Sequence, residues 1–116
     1  MNFKIEQKKD YVLIKVNETK LNTQISTSLR NELLEEKNKG MTNVLLDVED
    51  CLYCDSSGLS AILAINRFCK DNGGLFVLCG LQPTVEKLIS ISKLDTVLTI
   101  TDTVDKAEEF FEKHTV

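Results

Sequence analysis

The residues with the most chemical promise form one run, Asp55-Ser56-Ser57-Gly58-Leu59. It follows an apolar segment at 44–48 and opens a helical pattern that starts near Leu59. Two hydroxyls therefore lie where a strand exit meets a helix start. The first backbone N–H groups of a helix have no internal partner, and the field there is positive. That is a favourable place for a phosphate on or beside a serine. Asp55, Ser56 and Ser57 are also all cap-type residues, so the plainer reading is that they only start the helix, with Gly58 giving room for the turn.

No other cluster points to chemistry. Of the four cysteines, Cys51, Cys54, Cys69 and Cys79, the first two form a C-x-x-C. A redox motif places its first cysteine at a helix N-terminus, where the dipole stabilises the thiolate. Here the helix signals begin after Cys54, so Cys51 comes a turn too early. A zinc site needs two further ligands at fixed spacing. Cys69 falls in a helical pattern, Cys79 ends a strand, and the lone histidine, His114, is in the tail. The thiols read as small apolar core residues. Metal and cofactor are therefore expected to be absent. There is no paired acid and base, no nucleophile–base pair and no Gly-rich phosphate loop. The expectation is a protein that is acted upon and then bound, not an enzyme.

Composition agrees. The chain has 116 residues, 42% of them hydrophobic, which suits one packed domain spanning 1–116. A net charge of -4 argues against nucleic acid or an anionic membrane as the main partner. No apolar run is long enough to span a bilayer, and the opening Met1-Asn2-Phe3-Lys4-Ile5-Glu6 lacks a signal-peptide core. A cytoplasmic location is expected, with reduced thiols.

The elements that must hold Ser56 in place follow from periodicity. Residues 5–7 and 11–16 are β-rich and flank the polar Lys8-Lys9-Asp10, which predicts an antiparallel hairpin. Asn22 and Thr23 are N-cap types; Ile25, Leu29 and Leu33 then recur at spacing four, Leu34 widens the stripe, and Gly40 ends the helix. Residues 44–48 read as a strand covered on both faces. A helix over 57–70 is closed by Gly73-Gly74. At 100° per residue it turns Leu59, Ile62, Leu63, Ile65 and Cys69 inward and Ser57, Ser60, Ala64, Arg67 and Asp71 outward, with Ala61 and Phe68 at the edge. Residues 75–79 form another buried strand. Pro83 starts a short helix with Val85, Leu88, Ile89 and Ser92 inward. Residues 97–100 make the last strand, and Thr103 caps a final helix carrying Val104, Ala107, Phe110 and Phe111. The order ββαβαβαβα gives an α/β fold: a mixed, mostly parallel sheet of about five strands with about four helices.

The strand at 44–48, the turn Asp55-Ser56-Ser57-Gly58-Leu59, Ile62-Leu63 and Gly73-Gly74 together resemble the STAS domain family, in its bacterial anti-sigma-factor-antagonist form. Gln82-Pro83-Thr84-Val85 resembles the segment that opens the family's third helix, and the element order matches over essentially the whole chain. The resemblance implies that Ser56, directly after the aspartate, is the phosphorylated residue. It implies a partner switch: a serine kinase that is also the anti-sigma factor phosphorylates the antagonist, a metal-dependent Ser/Thr phosphatase reverses this, and the unphosphorylated form captures the anti-sigma factor and frees the sigma factor. Where the family carries Gly-x-Leu-Asp, this chain has Thr19-Lys20-Leu21-Asn22. Leu21 matches. Asn22 keeps the capping ability but replaces a carboxylate that the family places near the phosphorylation site and uses in kinase recognition.

The partner-binding surface is expected on the outward face of the Ser56 helix: Asp55, Ser57, Gly58, Ser60, Ala61 and Ala64, with Arg67 and Phe68 as anchors, and Asn22 nearby. Small residues let another chain approach, and arginine and aromatic side chains are enriched at interfaces. A monomer that forms hetero-complexes is the expected state. The competing reading is a STAS scaffold, or an accessory subunit of a lipid-transport ATPase, in which Ser56 is only a cap.

Overall fold

The computed structural model describes residues 3–114, so Met1 and Asn2 lie outside the described residues. Strands β1 (Phe3–Gln7) and β2 (Val12–Val16) form the expected antiparallel hairpin. Three parallel strands extend the sheet from β2: β4 (Val44–Asp47), β6 (Phe76–Cys79) and β7 (Thr99–Thr101). The order across it is β1-β2-β4-β6-β7. The crossovers are α1 (Thr23–Asn38), α2 (Ser56–Asp71) and α3 (Pro83–Ile91), and α4 (Val104–His114) follows the last strand.

Two strands of two residues each, β3 (Lys20–Leu21) and β5 (Tyr53–Cys54), were not expected from the sequence. They pair in parallel, Lys20 with Tyr53 and Leu21 with Cys54, immediately before α1 and α2. Two residues are too few to show a period. Their effect is large, because they fasten together the chain entering α1 and the chain entering α2.

The sheet buries its two faces unequally. Val12, Ile14, Val44, Leu46 and Leu78 pack against Ile25, Leu29 and Leu33 of α1, Ile62 and Ile65 of α2, and Val85 and Ile89 of α3. On the other face Leu45, Val77 and Cys79 meet α4 through Ala107 and Phe111, with Tyr11 stacked on Phe111 at 4.6 Å between ring centroids. β4 and β6 are buried at every position, as a strand covered on both faces must be.

α1 and α2 end alike. In α1 the Gly40 N–H donates to the Lys37 carbonyl and Met41 N–H to Glu36; in α2 Gly73 N–H donates to Lys70 and Gly74 N–H to Cys69. This double bond pattern occupies carbonyls that the helix leaves open, and it needs the positive φ that Gly40 (+87°) and Gly73 (+73°) supply.

Several expectations need correcting. Leu34 does not join the core stripe; it is 52% exposed. The buried arc of α2 is Gly58, Ala61, Ile62, Ile65, Asn66 and Cys69, with Leu59 and Leu63 only half-buried. The helix is rotated toward α1, because Ala61 is small enough to let the two helices close. Ser92 caps α3 and is exposed. The last strand begins at Thr99, since a 3-10 turn at Leu94–Thr96, entered through Lys93 at φ +59°, uses the residues before it.

Candidate phosphorylation and docking site

The site is built from two helix starts set side by side. Asp55 is the N-cap of α2: its Oδ1 accepts from the Gly58 N–H at 2.9 Å and from the Ser57 hydroxyl at 2.6 Å. The Thr23 hydroxyl, in the first turn of α1, donates to Ser57 Oγ at 3.0 Å. Ser26, buried, donates to the Asn22 carbonyl at 2.8 Å and to the Ser57 carbonyl at 3.2 Å. Asn22 caps α1, its Oδ1 accepting from Ile25 N–H at 3.3 Å. A continuous chain, Thr23 to Ser57 to Asp55, thus joins the positive ends of two 16-residue helices.

This network treats the two serines differently. Ser57 is half-buried, and its hydroxyl proton is committed to Asp55. Ser56, the first residue of α2, is exposed, and no hydrogen bond to its side chain occurs among the described residues. A transferase can reach Ser56 without dismantling the cap. At Ser57 it would have to break the hydroxyl's own bond to the capping carboxylate.

The sequence-predicted residues divide in two. Asp55, Ser56, Ser60, Ala64 and Arg67 are exposed, and Ser57, Asn22 and Phe68 are half-buried, all on the α1–α2 side of the molecule. Gly58 and Ala61 are buried and offer little surface. Gly58 sits so close to β3 that a Cβ there would run into the Leu21 carbonyl oxygen. Its role is close approach rather than contact with a partner. Thr23 and Ser26 were the members of the network whose part in the site the sequence did not reveal. Each lies 30 or more residues from its Ser57 partner, and the β3–β5 pairing and the packing of α1 on α2 bring them together.

Hydrogen bonds from the Ser57 hydroxyl, then from the Gly58 N–H, hold the Asp55 carboxyl below its ordinary range. The nearby thiols move the other way. Burial, then the charge of Asp55, pushes Cys54 up to about 11. Burial, then the neighbouring Cys54, pushes Cys51 up to about 12. Neither is a poised thiolate. Among the described residues no group of three or more His, Cys, Asp or Glu could hold a metal ion. No helix among them is long and apolar enough to cross a membrane.

A family model for the STAS domain matches residues 2–107. This chain belongs to the STAS domain family. Among STAS relatives, a Thermotoga maritima protein provisionally named an anti-sigma factor antagonist is 30% identical over 101 residues, covering 86% of this chain and 89% of that one. A crystal structure of a protein so described from the same organism superposes with TM-score 0.83 at 27% identity, over 95% of this chain and 94% of that one. The STAS fold is also that of the anti-sigma factor antagonist SpoIIAA. In its unphosphorylated form the TM-score is 0.80 at 21% identity, over 96% of each chain. In its phosphorylated form it is 0.72 at 22% identity, over 92% of this chain and 96% of that one.

Proposed function

We propose that this protein is an anti-sigma factor antagonist whose docking is switched by phosphorylation of Ser56. The observation that carries the proposal is the asymmetry of the two serines: one hydroxyl exposed at the start of α2, the next locked to Asp55. The names of its relatives support the antagonist role, and SpoIIAA exists in both phosphorylated and unphosphorylated forms. The unphosphorylated protein binds a serine kinase that is the anti-sigma factor, and a Ser/Thr phosphatase restores that state. ATP and its metal belong to the kinase. The antagonist acts in the cytoplasm as a single non-catalytic domain, monomeric when free.

The energetics favour a surface switch over a refolding one. Phosphorylation adds about 1.5–2 negative charges. The two helix ends offset part of that charge, by roughly 0.3–1 kcal/mol each. At a docked interface the same group must shed water, and like charges brought together cost several kcal/mol. About 1.4 kcal/mol is already tenfold in affinity, so binding changes while the fold stays.

The test is direct. The protein is incubated with ATP and a serine kinase encoded in the same genome, and the added phosphate is mapped by mass spectrometry. Label on Ser56 that Ser56→Ala abolishes is the expected result. A stable kinase complex indifferent to Ser56→Asp would instead favour a scaffold role.

A further inference from the structure

Between α1 and α2 runs an open groove of about 220 Å³, floored by Leu29, Leu33 and Ile65 and walled by Leu34 and Phe68. Leu34 lines it while 52% exposed, so a partner seated there would remove apolar surface from water. Arg30 is the one charged side chain on the lining. Among the described residues no ion pair engages its guanidinium. The acids of α1 are turned elsewhere. At 100° per residue Glu32 and Glu35 fall on the far arc, and Glu36 is buried against Gln7. The groove therefore carries one unpaired positive charge on an apolar lining, in a chain whose net charge is -4. Its near end is Ser26, the residue that donates to the Ser57 carbonyl, so it begins at the phosphorylation site and leads away from it. Its volume falls below the roughly 300–1,000 Å³ of small-molecule sites. It suits the side chains of a docked segment better than a metabolite.

We infer that this groove receives an acidic amphipathic segment of the anti-sigma factor kinase, its apolar side chains seated between Leu34 and Phe68 and a carboxylate paired with Arg30. The inference rests on the antagonist function proposed above. Arginine matches a carboxylate in planar, two-pronged geometry, and an apolar groove between helices is a common receptor for an amphipathic helix. The groove supplies the standing affinity, and Ser56 at its end decides whether that affinity is used.

The experiment is calorimetric titration of serine-kinase anti-sigma factors encoded in the same genome against wild type, Arg30→Glu, Arg30→Lys, Leu34→Asp and Ser56→Asp, each checked by thermal melting. Arg30→Gln and Leu34→Ser replace any variant that fails to fold. Arg30→Glu is expected to weaken binding at least tenfold, with the loss shrinking as salt is raised. Arg30→Lys keeps the charge but loses the two-pronged geometry, so its affinity is expected to fall between wild type and Arg30→Glu, and Leu34→Asp weakens binding at every salt concentration. Undiminished binding by Arg30→Glu and Leu34→Asp, with Ser56→Asp still unable to bind, overturns the groove and leaves the switch standing. A loss in Arg30→Glu that salt does not reduce overturns the carboxylate contact. Failure of wild type to bind any of these kinases overturns the antagonist function and this inference with it.

Discussion

The hydroxyl that Asp55 grips and the hydroxyl it leaves alone differ by one position in the chain. Ser57→Ala should loosen the start of α2 yet still accept phosphate at Ser56, a pairing that mass spectrometry and amide hydrogen exchange can check together. Acid probes the same cap. A carboxyl held low contributes stability that is fully present above its unfolded value, near 3.8, and is lost as pH falls through the lowered folded value. Below about pH 4 the protection of the first-turn amides of α2, taken against the unstructured-chain rate at the same pH, should therefore fall in wild type, whereas Asp55→Asn should show a shallower pH response. The sequence made Asp55 and Ser56 legible because cap residues and turn glycines act locally. It did not reveal Thr23 or Ser26 as parts of the site, because their importance comes from a neighbour 34 and 31 positions away. Cys51, Cys69 and Cys79 were legible as core residues, whereas Cys54 is only half-buried at the edge of the core. With burial pushing Cys51, Cys69 and Cys79 each up to about 12, alkylation by iodoacetamide near neutral pH should be slow in the folded protein and rapid after denaturation.

At the scale of elements, the short β3–β5 pair governs the geometry of the site. Gly58 makes that pairing possible by letting α2 touch the Leu21 carbonyl. Gly58→Ala should push the two apart and cost about 1–3 kcal/mol, as overpacking of a closed contact usually does. A urea melt measures the cost, and the variant should also lose the protected amides of β3. The long helices α1 and α2 and the strands β2, β4 and β6 could be read from their pattern, since each buries three or more residues. The errors came where one element meets another. Leu34 fits the heptad-like spacing of α1, but α2 approaches α1 on a narrower line, so the leucine stays outside. Ala61 is small enough to look exposed, yet its size is what lets the helices close over it.

For the molecule as a whole, the switch should act without refolding. Ser56→Asp should leave the thermal midpoint close to that of wild type. Changes in its amide spectrum should be confined to the starts of α1 and α2, while kinase binding falls at least tenfold. The parallel topology was visible in the alternation of strand and helix, and the unequal covering of the sheet follows from it: three crossovers share one face, leaving α4 alone on the other. The α1–α2 pair is pinned at both extremities. Hydroxyls stitch the beginnings together, and Gly74 lies so tight against Thr42 that no side chain would fit there. Two rods fastened at each end have little room to slide or splay, so under the proposed switch a phosphate on one oxygen would be felt outward, as a change in what the surface repels.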